Sequence, residues 1–417
     1  MPAFSILNTC VLKTTVINES STLHLESRWR IENWANGSWF DAEERANVLE
    51  SASSSLERTD NSTIGLHIPK IFHRSHKYSV QTLIESFAVE SGVFSDEKVE
   101  RLGSNLCSCQ ELNPDYETRY YDDFQVESIL QTTITTLQDS NMQIALARLS
   151  DNSRLSQAFV MKSDWFRLAV IYLVGGWWLD GDVRCIDSVT DVLRNGSAVG
   201  DAAKNVIDRI TAGSTSGFRV RPESLSGCIF AWEGELPAGK SSPLNWAFGC
   251  APRHPIILTA MKELANRVLK LKITEVPDPF KAKVRTPQGS VRYIDVLHTT
   301  GPGMLEAVFA SYAGVELKKL RENFGETASS ETWDMISAIY PRGKHHSDGL
   351  VLMLPYCFFR SRGCKHLERH FDDKVIFHHE FDTSWRPSFW HNYYREEKRV
   401  RNDGAEAGNK TGMKTEL

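Results

Sequence analysis

The residues whose types and spacing could do chemistry lie between Asp164 and Asp182. Asp180 and Asp182 flank Gly181 and directly follow the apolar run Trp177-Trp178-Leu179. Carboxylate oxygens are the ligands that a hard divalent cation requires. Two of them, one residue apart at a strand's end, reach a common crevice if the chain bends there. Gly181 permits both the bend and the close approach of a ligand. A cation held in this way suits the departure of a diphosphate from a nucleotide-sugar, because it neutralises the charge that grows as the glycosidic bond breaks. One carboxylate would take the metal, and the other metal-bound water or the donor's ribose. An Asp-X-Asp triplet occurs about once by chance in a chain of this length, and the plain alternative is a solvated loop. Its position after an apolar strand favours a site, since ligands of α/β sheets bind beyond the carboxyl ends of strands.

Asp164 and Arg167 form a second pair. They are three residues apart in a segment with helical spacing, so they share one face. The surrounding Trp165 to Val174 is apolar almost all round, which predicts a deeply buried helix. Buried charges must be paired or bind something. Either Asp164 and Arg167 make a structural ion pair, or Arg167 takes a donor phosphate and Asp164 the sugar's hydroxyls. The residue types alone weigh the two evenly.

The elements that must position these groups follow from local pattern. Ser163 is a good N-cap, which would put Asp164 in the first helical turn, where its charge suits the helix dipole. Gly175-Gly176 ends the helix, and Trp177-Trp178-Leu179 reads as a short buried strand that Val183 to Ile186 could continue. Upstream, Ile68 to His73 reads as a first buried strand, and 80–94 and 129–149 have helical spacing. Downstream, 227–232 reads as a strand, 245–255 leads into a helix over 256–271, and Thr300-Gly301-Pro302-Gly303 opens a helix to about Tyr312. Late strands are expected at 350–355 and 375–378. Strands alternating with helices predict an α/β fold with a mainly parallel sheet. Residues 1–65, rich in Ser, Thr and Asn, read as a variable lead-in or stem, 66–395 as the catalytic domain, and 396–417 as a disordered polar tail.

The bulk properties exclude little but are consistent. The chain has 417 residues, 41% of them hydrophobic, enough for one large core. A net charge of -5 with 24% charged residues gives no general affinity for nucleic acid. Eleven Trp could stack on sugar or base, although most are expected in the core. The eight Cys include no zinc-like CxxC pair. Cys357 and Cys364 could close a small disulfide loop, and buried free thiols are an equal alternative. No apolar run approaches the roughly 20 residues that span a bilayer, and the N-terminus lacks a signal-peptide plan. Five Asn-X-Ser/Thr sequons, at Asn18, Asn36, Asn61, Asn195 and Asn409, nevertheless point to a secretory lumen. The compartment expected is therefore the Golgi or another secretory lumen, with the cytosol as the alternative. Membrane association requires an N-terminal anchor that this sequence does not show.

Five blocks together resemble glycosyltransferase family 32. Ser163-Asp164-Trp165-Phe166-Arg167, followed by Tyr172 to Val183 with Gly175-Gly176-Trp177-Trp178-Leu179-Asp180-Gly181-Asp182, is similar to that family's S-D-x-x-R … Y-x-x-G-G-x-Y-x-D-x-D signature. Ile68 to His73 resembles its opening I-P-K-I-I-H strand. Asn245 to Ile256, Thr300 to Gly303, and His379 to Trp385 are similar to blocks of fungal initiating α-1,6-mannosyltransferases. The blocks span about 66 to 390 and occur in the family's order. Trp178, Asn245 and Thr383 depart from it, standing where the family has Tyr or Phe, Gln and Gly.

The resemblance implies a GT-A nucleotide-diphospho-sugar transferase fold and transfer with retention of anomeric configuration. It implies that Asp164 and Arg167 hold the donor sugar and phosphate, and that Asp180 touches ribose or sugar. Asp182 would ligate Mn²⁺ (or Mg²⁺), with His379 as a second ligand and His378 as the lesser candidate. Ser384 and Trp385 would close over the diphosphate, Ile71 to His73 would flank the base, and Asn245 would lie near the sugar. GDP-mannose is the favoured donor and a glycan or glycolipid the acceptor. The alternatives are a UDP-sugar-dependent α-galactosyl- or α-glucosyltransferase and an inactive subunit of a transferase complex.

Overall fold

In a computed structural model of the chain, the described residues are 66, 68–75, 105, 107–151, 156–194, 200–201, 205, 226–232, 243–271, 274–277, 290–293, 296–316, 337–339, 348–354, 358–360 and 375–379. The expected stem, the tail, the helix at 80–94, all five sequons, Cys357, Cys364, Ser384 and Trp385 lie outside them.

The centre is a seven-stranded sheet. Its strands in chain order are β1 (Ile71–Ser75), β2 (Glu117–Tyr121), β3 (Gly176–Leu179), β5 (Ser226–Ala231), β6 (Ala247–Cys250), β9 (Ser337–Ile339) and β10 (Asp348–Leu354). Their spatial order is β2-β1-β3-β6-β5-β10-β9. β2, β1, β3, β5 and β10 run one way, and β6 and β9 run against them. The expected α/β architecture, a mixed but mainly parallel sheet flanked by helices, is thus what the chain forms. A second sheet, β11-β12-β4, joins β4 (Val183–Cys185), β11 (Phe359–Arg360) and β12 (Phe377–His379). A hairpin, β7 (Thr274–Pro277) with β8 (Ser290–Tyr293), stands apart from both.

Alternation along the strands separates two cores, because successive side chains point to opposite faces. Trp178, Phe230, Phe248, Val351 and Met353 pack on one face under the helices. Trp177, Ile229, Ala247, Leu350 and Leu352 pack on the other, with Val183, Phe359 and Phe377 of the small sheet. The helices are α1 (Asp123–Leu137), α2 (Ser140–Asp151), α3 (Ser156–Val174), α4 (Val189–Val192), α5 (Pro255–Leu269), α6 (Val296–Thr299) and α7 (Pro302–Ala313).

Local chemistry explains the boundaries, including those the sequence misplaces. The single helix expected over 129–149 is two. α1 starts with a capping box between Asp122 and Gln125 and ends at Gln138, whose φ is 52°. The Asp139 side chain then accepts from the Met142 N–H at 3.1 Å and starts α2. α3 begins at Ser156, well before the expected cap at Ser163, because Ala158 and Met161 already face the core. Asp164 is therefore mid-helix, and the helix dipole does not account for its charge. At the other end, Gly175 and Gly176 have φ of 71° and 94°, and a Cβ on Gly176 would lie 2.6 Å from the Ile71 carbonyl oxygen. These glycines turn the chain from α3 into β3 alongside β1. The residues before α5 hold a strand, β6, that periodicity did not separate from its surroundings.

Cysteine chemistry also differs from expectation. Cys109–Cys185 and Cys228–Cys250 are disulfides, Cys107 is bonded as well, and no cysteine among the described residues is free. Cys228 and Cys250 are register partners across β5 and β6.

Candidate active site

β3 ends at Leu179, and the chain turns through Asp180, Gly181 and Asp182 before entering β4. The Val183 N–H closes this turn on the Asp180 carbonyl at 3.0 Å. Gly181 has no positive φ, so the bend does not use a left-handed backbone. β4 does not prolong β3 but leaves the main sheet and pairs with β12, which sets His379 opposite Val183. His379 Nε2 consequently lies 3.2 Å from Asp182 Oδ1. One ligand atom from each of Asp180, Asp182 and His379 falls within 4.8 Å of the others. Two carboxylates and an imidazole suit Mn²⁺ or a similar divalent cation. All three side chains are partly exposed, so they are not sealed in the core.

Asp180 is held from two sides. Trp178, two residues earlier on the same strand face, donates its indole N–H to Asp180 Oδ1 at 2.7 Å. Arg167 Nη2 approaches the same oxygen at 3.3 Å. Burial pushes the Asp180 carboxyl up to about 6, and the Asp182 charge adds to the shift against the pull of Arg167 and His379. A cation between the two carboxylates would relieve that strain.

Asp164 lies deeper, 4% exposed, and each of its oxygens has a partner. Its Oδ1 receives Arg167 Nη2 at 3.0 Å and Asn245 Nδ2 at 3.3 Å, and its Oδ2 receives the Thr300 hydroxyl at 2.5 Å. Burial raises its carboxyl above the usual range, while Arg167 and Thr300 pull it back. Arg167 also donates through Nη1 to the Asn245 carbonyl at 2.6 Å and sits over the Trp178 ring, 5.5 Å from its centroid. The structural ion pair thus exists, and the same guanidinium extends to Asp180. Asn245 touches Asp164 and Arg167 at once.

Two other expected contacts look different in place. His73 has no exposure and both nitrogens are used. The Gly175 carbonyl can only accept, so Nε2 donates to it at 2.8 Å and Nδ1 accepts from the Tyr121 hydroxyl at 2.9 Å. Burial brings its pKa down to about 3, which keeps it neutral. His73 is therefore a core residue, sealed away from the Asp180, Asp182 and His379 cluster. Ile71, at the start of β1, is half-buried, and its carbonyl crowds Gly176. His378 pairs with Arg184 in the small sheet, one residue from the cluster.

Four contributors escaped the sequence reading. Trp178 anchors Asp180, and an aromatic with a ring N–H two residues before a carboxylate was the available signal. Thr300 belongs to a block the sequence singles out, without any sign that it would reach Asp164. Trp246 stacks on His379, with centroids 4.8 Å apart and planes at 17°. Arg74, wholly buried, donates to the Val183 carbonyl at 2.9 Å and to Cys109 Sγ at 2.8 Å. Burial lowers its pKa to about 10, and Tyr120, Asp182 and Asp180 oppose the shift. Its charge lies behind the carboxylate turn.

No family model matches the sequence, and no curated protein does. Among solved structures, the chain is similar to the PaToxG glycosyltransferase, at 12% identity and a TM-score of 0.31, over 64% of this chain and 77% of that one. It is also similar to the catalytic domain of alpha-toxin from Clostridium novyi, at 11% identity and a TM-score of 0.30, over 68% and 80%. Likenesses of this size carry no argument about activity, which rests on the site's own geometry.

Proposed function

We propose that the chain is a divalent-metal-dependent glycosyltransferase of the GT-A kind, taking its sugar from a nucleotide diphosphate donor. The observation that carries this reading is the meeting of Asp180, Asp182 and His379 within 4.8 Å, beyond the carboxyl end of a strand in a mainly parallel sheet. Asp182 and His379 would hold the metal directly, with Asp180 beside them. The bound ion would supply charge neutralisation for the departing diphosphate. Arg167, held by Asp164 and the Asn245 carbonyl, presents a fixed cation for a donor phosphate or hydroxyl.

The described carboxylates also bear on the stereochemistry. Both oxygens of Asp164 are engaged by Arg167, Asn245 and Thr300, and Asp180 Oδ1 is shared by Trp178 and Arg167. Both carboxylates are committed to holding neighbours, which favours retention through departure and attack on one face. The bond from the sugar's anomeric carbon to the diphosphate oxygen breaks, and its electron pair leaves with the diphosphate. The acceptor hydroxyl bonds to that carbon, and its proton passes to the leaving phosphate oxygen. No separate general base is required.

The resemblance to family 32 favours mannose from GDP-mannose, with a glycan or glycolipid acceptor. A thermal-shift screen of GDP and UDP with MnCl₂, followed by hydrolysis assays of the matching nucleotide-sugars, tests the reading. Stabilisation by GDP with Mn²⁺ and release of mannose are expected. Stabilisation by UDP alone would move the assignment to a UDP-sugar enzyme, and no stabilisation by either would overturn it. Disulfides Cys109–Cys185 and Cys228–Cys250 support an oxidising, secretory compartment, since such bonds persist there and not in reducing cytosol.

A further inference from the structure

Asn245 and Trp246 lie in the short segment before β6 and between them contact Asp164, Arg167, Asp180 and His379. The Asn245 carbonyl and side chain hold Arg167 and Asp164. The Trp246 carbonyl accepts the Asp180 N–H at 2.9 Å, and its indole covers His379. Strand pairing places His379 opposite Val183. Pairing fixes a backbone position, however, and leaves a histidine's two side-chain torsions to be set by its neighbours. A metal ligand needs its ring plane set, because the lone pair must point at the ion. The near-parallel stack, 4.8 Å between centroids, sets that plane. Trp246 is itself braced, being buried and 6.0 Å from the Phe359 ring.

We propose that Trp246 is a positioning residue for His379, holding the imidazole plane so that Asp182 and His379 bind a divalent cation together. The proposal rests on the metal-site reading given above. An indole face attracts positive charge. An imidazole that shares a metal ion's charge therefore gains more from the stack than a free one. The stack would raise metal affinity as well as order the ligand, and the expected ranking is Trp above Phe above Leu. The alternative is that Trp246 merely fills the core beside Phe359.

The test titrates MnCl₂ into the full chain without nucleotide, following free Mn²⁺ by electron paramagnetic resonance and protein fluorescence by Mn²⁺ quenching. Trp246→Leu should weaken Mn²⁺ binding at least about tenfold, and Trp246→Phe only two- to fourfold, an intermediate loss that reflects its smaller, less electron-rich ring. The quenched component of wild-type fluorescence should shrink in Trp246→Phe, with Trp178, bonded to Asp180, supplying the remainder. The absorption bands of the Co²⁺-loaded protein should shift in Trp246→Leu, which a purely structural role would not produce. Asp182→Asn should abolish binding. If both Trp246 variants bind Mn²⁺ as the wild type does and Asp182→Asn does not, the positioning role is overturned and the metal site stands. If Asp182→Asn binds Mn²⁺ unchanged, the metal-site reading falls, and this proposal with it. Should Trp246→Leu fail to fold, Trp246→Phe decides, and an unchanged Mn²⁺ affinity there overturns the role.

Discussion

Two carboxylate clusters share Arg167 and are built on opposite principles. Around Asp164, 4% exposed, each oxygen has a partner and water is excluded. Around Asp180 and Asp182, 24% and 18% exposed, two like charges lie near one another with His379 beside them. The first cluster fixes a geometry with a partner on each carboxylate oxygen. The second retains repulsion and exposed oxygens, which a cation and a substrate can satisfy. The difference separates a group that places chemistry from a group that performs it, although both read simply as acidic motifs in the sequence.

The comparison can be broken most forcefully at the shared residue. Arg167→Met leaves Asp164 buried without its cation and should cost about 3–5 kcal/mol of stability, read by chemical denaturation, together with donor binding. A loss of donor binding without loss of stability would show that Asp164 does not depend on the pair. Asp182→Asn strikes only the open cluster. It should lower metal-dependent turnover about 10²–10³-fold while the melting temperature without metal stays near the wild-type value. Thr300→Val strikes only the closed cluster, removing the hydroxyl from Asp164 Oδ2. It should cost about 1–3 kcal/mol, and Thr300→Ser should restore most of it. The Asp164 carboxyl, already raised, should rise further in Thr300→Val. A raised acid stabilises the folded state fully below its unfolded value and loses that contribution as pH rises, so the variant's deficit should be largest at neutral pH and shrink on acidification.

The gentlest distinction is in pH dependence with and without metal. The Asp180 carboxyl titrates at about 6 when folded and 3.8 when unfolded. Without metal its proton is retained in that window, so its contribution to stability is present at low pH and lost as pH rises through about 6. A cation competes with the same proton. The rise in melting temperature produced by Mn²⁺ should therefore be full above pH 6 and fade below it. A Mn²⁺ effect independent of pH between 5 and 7 would remove Asp180 from the metal's surroundings.

Much of this molecule was set by local sequence. The apolar run of α3, the glycine pair that ends it, the short strand before Asp180 and the N-terminus of α7 all appear where residue types and spacing put them. Asp180, Asp182 and His379 could be named as a set from motif resemblance, and Arg167 from a lone cation in an apolar helix. The limits were also local. Ser163 looks like a cap, yet a helix continues through any residue whose neighbours keep burying surface. His73 looks available within its motif, yet both its nitrogens are consumed by Tyr121 and Gly175.

The tertiary structure decided what meets what. Thr300 reaches Asp164 across 136 residues, and His379 reaches Asp182 only because β4 leaves the main sheet to pair with β12. Trp246 lies over that histidine because β6 runs against β3. Periodicity reports how a segment meets its immediate environment, since burial repeats with the backbone's own geometry. It carries no record of which distant segment supplies that environment. Strand register and the packing of two cores on one sheet settle that, and they turned two acidic motifs into one closed clamp and one open site.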